Sequence, residues 1–266
     1  MFISGGGSGI GHEFARQLAQ EGADIAIFNR KLAPQVIEEL QRLAVRPDQK
    51  FRSYSADVSD DVGLTGSIDD AVHELGAPDL AINSAGLNIA KPFVKLTSSE
   101  FNHVININLI GSRNFAAAVM PHLRPGAHLV FIASLASMVG TYAYTAYCAS
   151  KFGVMGLASC LRVELKLKSI DVSICCPGEI MTPFVHNEHK TLDPILFAMK
   201  AFAGKQEVDV ACAQMLHRIA RRQFEIVDGV RPGITAWLAR HLPGTTRLMT
   251  DDIARKITKK SLTPTL

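Results

Sequence analysis

The sequence that decides the fold is SGGGSGIG at residues 4–11, between a short apolar run at 1–4 and an amphipathic run that starts at residue 10. Glycines at a strand-to-helix turn let the backbone come close to a pyrophosphate, whose charge is met by backbone N–H groups and the helix dipole. The spacing is G-x-x-x-G-x-G, which differs from the G-x-G-x-x-G dinucleotide fingerprint. We expect a dinucleotide-binding turn, with a purely structural turn as the alternative.

The rest of the chain alternates short apolar runs with longer amphipathic ones. This alternation predicts an α/β protein with a Rossmann-type doubly wound sheet of about seven parallel strands and helices on both faces. We expect one NAD(P)-binding domain over 1–266, with a substrate lid at about 178–206 and a C-terminal extension at about 229–266. The predicted strands are 1–4, 24–29, 51–55, 80–83, 127–133, 171–175 and 224–227, and the predicted helices are 10–21, 34–45, 60–75, 100–120, 142–168 and 207–222.

Composition excludes several classes of protein. Apolar residues make up 47% of the 266 residues, charged residues make up 20%, and the net charge of +3 gives no reason to expect a nucleic-acid partner. None of the five cysteines forms a C-x-x-C pair, which predicts buried reduced thiols and a cytoplasmic protein. No apolar run reaches the roughly 18 residues of a membrane span. His12, His186 and His189 lack convincing ligand partners, so we expect no metal.

The residues at the end of the second predicted strand indicate which cofactor is preferred. An acidic residue there would bind the ribose 2′-hydroxyl of NAD and repel the 2′-phosphate of NADP. The sequence has Asn29 followed by Arg30 at this point, and Asp24 comes too early to serve. Arg30 offers a planar charged fork to a phosphate, the alternative being a solvated loop arginine. We therefore expect NADP (NADPH), with NAD as the less favoured cofactor.

A tyrosine and a lysine are spaced for proton transfer. Tyr147 and Lys151 lie four residues apart in a predicted helix and so share one of its faces. A nearby ammonium favours the phenolate and lowers the pKa of a tyrosine from its usual value near 10. Tyr142 and Tyr144 have no lysine four residues on, so Tyr147 is the candidate acid.

Further motifs follow in order along the chain. They are Asp57-Val58 after the third strand, NSAG at 83–86, NLIG at 108–111, Ser134 thirteen residues before Tyr147, and PGEIMT at 177–182. Together with the turn at 4–11, these segments resemble those of the short-chain dehydrogenase/reductase family. Ser4 stands where that family usually has threonine, and Ser84 where it has a second asparagine. Neither difference threatens the chemistry, because Ser4 keeps the hydroxyl and the position of Ser84 mainly supports the sheet.

The resemblance implies a division of labour among the candidate catalytic residues. Tyr147 would donate a proton to a carbonyl oxygen, and Lys151 would bind the nicotinamide ribose. Ser134 would hydrogen-bond the substrate oxygen, and Asn108 would support a water relay. The cofactor-binding residues implied are Gly5, Gly7, Ser8, Gly9, Ile10, Gly11, Arg30, Asp57, Val58, Asn83, Ala85, Gly86, Tyr147, Lys151, Ile180 and Thr182.

The substrate is indicated by the two segments that interrupt the alternation. The apolar residues of 186–203 either line a pocket for a bulky or acyl-chain ketone or only pack the lid onto the domain. The stretch 176–191 is similar to 3-ketodihydrosphingosine reductase-like members, although those usually have proline where Gly178 stands. In the extension, Ile234, Trp237 and Leu238 fall at helical spacing near arginines. We expect this helix to dock on protein, with peripheral membrane contact through 231–249 as the alternative.

These observations favour an enzyme that uses NADPH to interconvert a ketone and a secondary alcohol. We expect it to act mainly as a reductase of a bulky or hydrophobic substrate, with long-chain 3-keto compounds as one candidate class. The alternatives are an NAD-dependent alcohol or hydroxysteroid dehydrogenase and a non-catalytic protein that senses the cofactor. The expected partners are a small carbonyl or alcohol substrate and further copies of the chain in a homodimer or homotetramer.

Overall fold

The computed structural model describes residues 1–31, 34–182, 185 and 192–262. Its strands are β1 (Phe2–Ser4), β2 (Ile25–Asn29), β3 (Phe51–Ser55), β4 (Leu80–Asn83), β5 (His128–Ile132), β6 (Asp171–Cys175), β7 (Glu179–Met181), β8 (Lys205–Glu207) and β9 (Glu225–Ile226). Its helices are α1 (Gly9–Gln20), α2 (Pro34–Arg42), α3 (Asp61–Leu75), α4 (Ser98–Ile105), α5 (Gly111–Val119), α6 (Thr145–Lys166), α7 (Pro194–Ala203), α8 (Val208–Ala220), α9 (Val230–His241) and α10 (Pro243–Leu262).

Seven strands form one parallel sheet in the order β3-β2-β1-β4-β5-β6-β9. From β1 the chain adds β2 and β3 on one side and then β4, β5 and β6 on the other, so the strand order reverses between β1 and β4. Ligands of such folds bind at the carboxyl ends of the strands beside that point. The glycine turn lies there, between β1 and α1. The predicted single-domain α/β fold is confirmed. Most predicted boundaries differ from the structure by only a few residues, but the predicted helix 100–120 is divided into α4 and α5.

The sheet is covered on both faces because its strands are apolar on both sides. On one face, Phe14 of α1, Leu40 of α2 and Met215 of α8 pack against the sheet. On the other face, Ile68 of α3, Phe115 of α5, and Val154, Ala158 and Leu161 of α6 form the second core cluster. These two layers hold the carboxyl edge of the sheet rigidly in place.

The predicted lid at 178–206 is anchored where it leaves and rejoins the domain. Here β7 and β8 pair in parallel, with Ile180 opposite Gln206, in a small sheet that the sequence pattern did not predict. Between these strands lies α7, which Asp193 caps by accepting a hydrogen bond from the Ile195 N–H. Much of the stretch 176–191, including His186 and His189, lies outside the described residues.

The C-terminal extension forms two helices. Buried Pro232 and Ala236 lie on α9, which packs against α7 and the short turn Leu135–Ser137. The second helix, α10, packs against α7 and α9. The extension therefore docks on its own domain, as expected, while Ile234 and Trp237 of α9 stay exposed.

Candidate active site

The glycine turn leaves no room for a side chain at Gly5. Gly5 has φ +69°, and a Cβ there would lie 2.7 Å from the backbone nitrogen of Ala85. Gly9 also has a positive φ of +56°. The Ser4 hydroxyl donates to the Asn83 side chain at 2.5 Å and accepts from the Ala85 N–H, so it joins β1 to β4 beneath the turn. Ser4 thus performs the role that a threonine hydroxyl could perform.

Gly11 is a second position of the turn at which an added side chain would collide with backbone atoms. Its Cβ would lie 2.9 Å from the carbonyl carbon of Gly5, a backbone atom that cannot swing aside. We expect Gly11→Ala to lower the free energy of unfolding by about 2 kcal/mol and to weaken nucleotide binding, measured by urea unfolding and NADPH titration. The control is Gly66→Ala on α3, where the added Cβ meets nothing within 4 Å and should stabilise the helix by up to about 1 kcal/mol. Equal stability of Gly11→Ala and the unmodified protein would contradict this role.

Three adjoining cavities follow the carboxyl edge of the sheet. The outer cavity has a volume of about 600 Å³, the middle cavity about 250 Å³ and the inner cavity about 210 Å³. The outer and middle cavities share Gly5, Ser8, Ala85, Gly86 and Leu87 as walls. The middle and inner cavities share Ile10, Ala133, Tyr147 and Thr182. They form one elongated cleft of the kind that an extended dinucleotide and a substrate would need.

Most of the predicted cofactor-binding residues line this cleft. Gly7, Arg30, Asp57 and Val58 line the outer cavity. Gly9 and Lys151 line the middle cavity, and Ile180 lines the inner one. Gly5, Ser8, Ile10, Ala85, Gly86, Tyr147 and Thr182 lie where two cavities meet.

Two residues of the predicted set lie behind the cleft wall instead. The side chain of Asn83 is buried, accepts from Ser4 and donates to Ser112 at 2.6 Å. Gly11 is buried against the Gly5 carbonyl. Both residues support the cleft wall, and their cofactor contacts stay predictions.

The outer cavity is lined by Arg30, the positive charge that the sequence predicts near the cofactor. Arg30 and its neighbour Lys31 are exposed residues at its rim, after the last residue of β2. Burial opposes ionisation of Asp57, but hydrogen bonds from Ser59 and the nearby Arg30 charge outweigh it and hold the pKa of Asp57 below its usual value. The rim thus combines two cations with the ionised carboxylate of Asp57. The place of Lys31 in this cavity could have been predicted from its position beside Arg30.

Tyr147 and Lys151 meet at the boundary between the middle and inner cavities. The Lys151 ammonium lies 5.6 Å from the centre of the Tyr147 ring, as the four-residue spacing on α6 predicted. It donates a hydrogen bond of 2.9 Å to the Ile132 carbonyl. Burial lowers the pKa of Lys151 to about 8. A buried cation beside a phenol is the arrangement that favours transfer of the phenolic proton.

Ser134 faces the same space from the end of β5. It lies in the inner cavity with Tyr147, and its hydroxyl accepts a 3.2 Å hydrogen bond from the Ala136 N–H. Its backbone is extended, at φ −172°, and begins the short turn Leu135–Ser137. The turn fixes the hydroxyl at the cavity wall, where it could hold a substrate oxygen.

Asn108 lies deeper than a group in direct contact with substrate. It belongs to the wide helical turn Asn106–Ile110, between α4 and α5, a type of irregularity that is frequent at functional sites. Its fully buried side chain accepts from the Leu87 N–H and donates to the Leu87 carbonyl and to Ser150. The side chain therefore fixes the cleft wall at Leu87, and the predicted water relay stays a prediction.

An ion pair that sequence reasoning did not identify lines the inner cavity. Glu179 of β7 and Lys200 of α7 lie 2.6 Å apart, with side chains only 3% and 12% exposed. The Lys200 ammonium also lies 5.9 Å from the centre of the Tyr144 ring. Glu179 belongs to the PGEIMT motif, but its partner on the lid has no sequence signal. The pair joins the lid helix to the cleft.

Comparisons with known proteins identify this arrangement. The sequence profile described as short chain dehydrogenase matches residues 1–193. The chain belongs to the short chain dehydrogenase family. The family comprises NAD(P)-dependent oxidoreductases, and the motif resemblance found from sequence is thereby confirmed.

Relatives within the family include sphingolipid reductases. The chain is 32% identical over 195 residues to the 3-ketodihydrosphingosine reductase of Bos taurus, covering 71% of this chain and 58% of the relative. It is 30% identical over 255 residues to a 3-dehydrosphinganine reductase of Arabidopsis thaliana, covering 90% of this chain and 77% of the relative. The chain thus spans about three fifths of the length of the bovine protein.

Solved structures of short chain dehydrogenases share the fold. One from Mycobacterium paratuberculosis, bound to NAD, has a TM-score of 0.74 at 26% identity, covering 85% of this chain and 94% of that one. One from Burkholderia cenocepacia J2315, in complex with NADP, has a TM-score of 0.76 at 24% identity, covering 86% and 96%. Structural neighbours therefore use either cofactor.

Other predictions have mixed outcomes in the part of the chain that the structure describes. Four of the five cysteines are buried free thiols, but Cys160 is exposed, which corrects the prediction for that residue. No described helix is both long and apolar enough to cross a bilayer. His12 contacts Glu39 at 3.1 Å, and the described residues hold no cluster of metal-ligand type. The absence of a metal stays a prediction.

Proposed function

We propose that this short chain dehydrogenase is an NADPH-dependent reductase that converts a bulky, hydrophobic ketone, with long-chain 3-keto compounds as the favoured class, to a secondary alcohol. The observation that carries the proposal is the meeting of Ser134, Tyr147 and Lys151 at one junction of the cleft. Relatives named as reductases of 3-ketodihydrosphingosine support ketone reduction and the long-chain class. The reductive direction follows from the expected use of NADPH.

The cleft fits a dinucleotide at the glycine turn, at its outer end and beside Lys151. Gly5, Gly7 and Gly9 line the outer and middle cavities without side chains, which suits close approach of a pyrophosphate. Asp57 and Val58 would contact the adenine end, and Lys151 would bind the nicotinamide ribose hydroxyls. When bound, the reduced nicotinamide supplies the hydride that reduces the carbonyl carbon.

The chain's own residues would supply the proton and hold the oxygen. The Ser134 hydroxyl would donate a hydrogen bond to the carbonyl oxygen and stabilise the negative charge that develops there. The Tyr147 hydroxyl would donate its proton to that oxygen, and the Lys151 ammonium would stabilise the phenolate left behind. The proton is returned to Tyr147 from solvent.

The proposal is tested with a panel of long-chain, steroid and small ketones, by following the loss of NADPH absorbance. We expect turnover with hydrophobic ketones. Faster turnover of secondary alcohols or hydroxysteroids with NAD than of any ketone with NADPH would favour the NAD-dependent dehydrogenase alternative. NADPH binding without any turnover would favour the cofactor-sensing alternative, against which the complete set of Ser134, Tyr147 and Lys151 argues.

The cofactor preference has its own test at Arg30. A 2′-phosphate at the outer cavity would lie near the Arg30 and Lys31 cations, and a charged hydrogen bond contributes about 1.5–3 kcal/mol. We expect Arg30→Asp to reduce the preference for NADPH over NADH at least about tenfold, measured as the ratio of Kd values. The control is Arg42→Asp on α2, whose side chain is exposed and outside the cleft. Equal affinity of the unmodified protein for NADH and NADPH would contradict the assignment of Arg30.

We also propose that the protein is cytoplasmic and that it forms a homodimer or homotetramer, with peripheral membrane contact through 231–249 as an alternative role of the extension. Exposed apolar side chains on α6, Phe152 and Val163, support an interface between copies. The exposed Ile234 and Trp237 of α9 support the membrane contact. No nucleic-acid partner is proposed.

A further inference from the structure

A fourth cavity, which we call the side cavity, adjoins the inner cavity. Its volume is about 90 Å³, and it shares Leu135, Ala136, Thr141 and Met199 with the inner cavity as walls. The inner cavity also contains Ser134 and Tyr147. The side cavity therefore begins at the far wall of the space in which the carbonyl would be reduced.

Apart from Val139, the remaining walls come from the C-terminal extension. Leu238 on α9, and Met249 and Ile253 on α10, contribute aliphatic and thioether surface. Because methionine has three rotatable bonds and a polarisable sulfur, Met199 and Met249 can adapt to a chain that enters between them. The extension thus forms a second apolar compartment behind the lid helix.

Four threonines line the side cavity: Thr141 lies where it meets the inner cavity, and the other three come from the extension. The Thr235, Thr246 and Thr250 hydroxyls donate to the carbonyls of Arg231, Leu242 and Arg247, three or four residues earlier in the chain. Their hydrogen atoms are therefore already engaged by the backbone. No charged side chain is among the described residues that line the side cavity. A ligand here would gain little from polar groups and much from apolar surface.

We propose that the side cavity binds the unbranched hydrocarbon tail of the ketone substrate. The proposal rests on the proposed function, because the ketone must lie between Ser134 and Tyr147 for its tail to enter at Leu135 and Met199. The inner cavity also holds the Glu179–Lys200 ion pair, which suits a polar head group. An amphiphile with its head in the inner cavity and its tail in the side cavity would match the polarity of both.

Chain length is the first test. For unbranched 2-alkanones from six to sixteen carbons with NADPH, we expect kcat/KM to rise up to about fourfold per added methylene, the factor for burial of one methylene. The rise should stop once the side cavity is filled. A kcat/KM that does not depend on chain length would overturn the tail site while leaving ketone reduction intact.

Blocking the side cavity is the second test. Met249→Trp places a larger ring in the cavity, and we expect it to lower the ratio of kcat/KM for long over short ketones at least tenfold. The matched control is Leu248→Trp, one residue earlier on α10, where the side chain is 71% exposed and outside the cavity. An unchanged ratio in Met249→Trp, or the same fall in Leu248→Trp, would overturn the tail site.

A binding assay separates the tail site from the reaction. Unbranched 2-alkanols are used to displace a fluorescent long-chain alcohol from the enzyme loaded with NADPH, a combination in which the alcohol cannot be oxidised because the nicotinamide is already reduced. We expect tighter binding of longer alcohols in the unmodified protein and in Leu248→Trp, but not in Met249→Trp. If longer alcohols bind more tightly but no ketone is turned over, the tail site is retained and the proposed reaction is refuted. Equal affinities of the unmodified protein for all chain lengths would refute the tail site.

Discussion

Tyr147→Phe is expected to lower kcat for ketone reduction about 10³-fold, within the range that positioned proton donors contribute. The ring would keep its edge-to-face contact with Tyr144, at 5.3 Å between ring centres, so the fold should not change. Only the hydroxyl at the junction of the middle and inner cavities would be lost. NADPH affinity should stay within about twofold, because the glycine turn and the outer cavity are untouched.

The measurement is single-turnover oxidation of NADPH with saturating ketone, together with fluorescence titration of NADPH. Tyr54→Phe is the control, because Tyr54 lies on β3, stacks on Phe28, and does not line the middle or inner cavity. Retention of more than a tenth of the activity in Tyr147→Phe would contradict the proton-donor assignment. Loss of both NADPH binding and turnover in Tyr147→Phe would instead indicate a structural role for the hydroxyl.

The parts of the site that lie within one local segment were predictable from sequence. The four-residue spacing of Tyr147 and Lys151 fixes their relation on α6, because residues so spaced share a helix face. The glycine turn was equally predictable, since it depends on one strand, one helix and the residues between them. The sheet followed from the alternation of apolar and amphipathic runs, because parallel strands need helical crossovers.

The parts that depend on contacts between distant segments were not predictable. Glu179 and Lys200 meet only because β7 and β8 pair and return the lid to the cleft. The short runs at 179–181 and 205–207 have no strand pattern of their own. The side cavity likewise forms where α7, α9 and α10 come together, and no spacing within one helix reveals it. The cofactor contact of Asn83 stays a prediction, and its motif does not show that Ser4 and Ser112 occupy its side chain.

Lys151→Met should lower kcat/KM for ketone reduction about 10²- to 10³-fold and remove part of its dependence on pH. The substitution removes the cation that stabilises the Tyr147 phenolate and leaves the Ile132 carbonyl without its donor. Methionine has nearly the same length, so the buried site stays filled and the fold should persist.

The pH dependence follows from the burial of Lys151. Burial lowers the pKa of Lys151 from 10.5 to about 8, so the ammonium loses its proton as the pH rises through about 8, well below the pH at which an exposed lysine does so. We therefore expect kcat/KM of the unmodified enzyme to fall above about pH 8, and this fall to be absent or displaced in Lys151→Met. The control is Lys166→Met, at the exposed end of the same helix, which should keep both the rate and the pH profile. The same fall near pH 8 in Lys151→Met would assign the titration to another group, and the electrostatic role of Lys151 would then rest on the loss of rate alone.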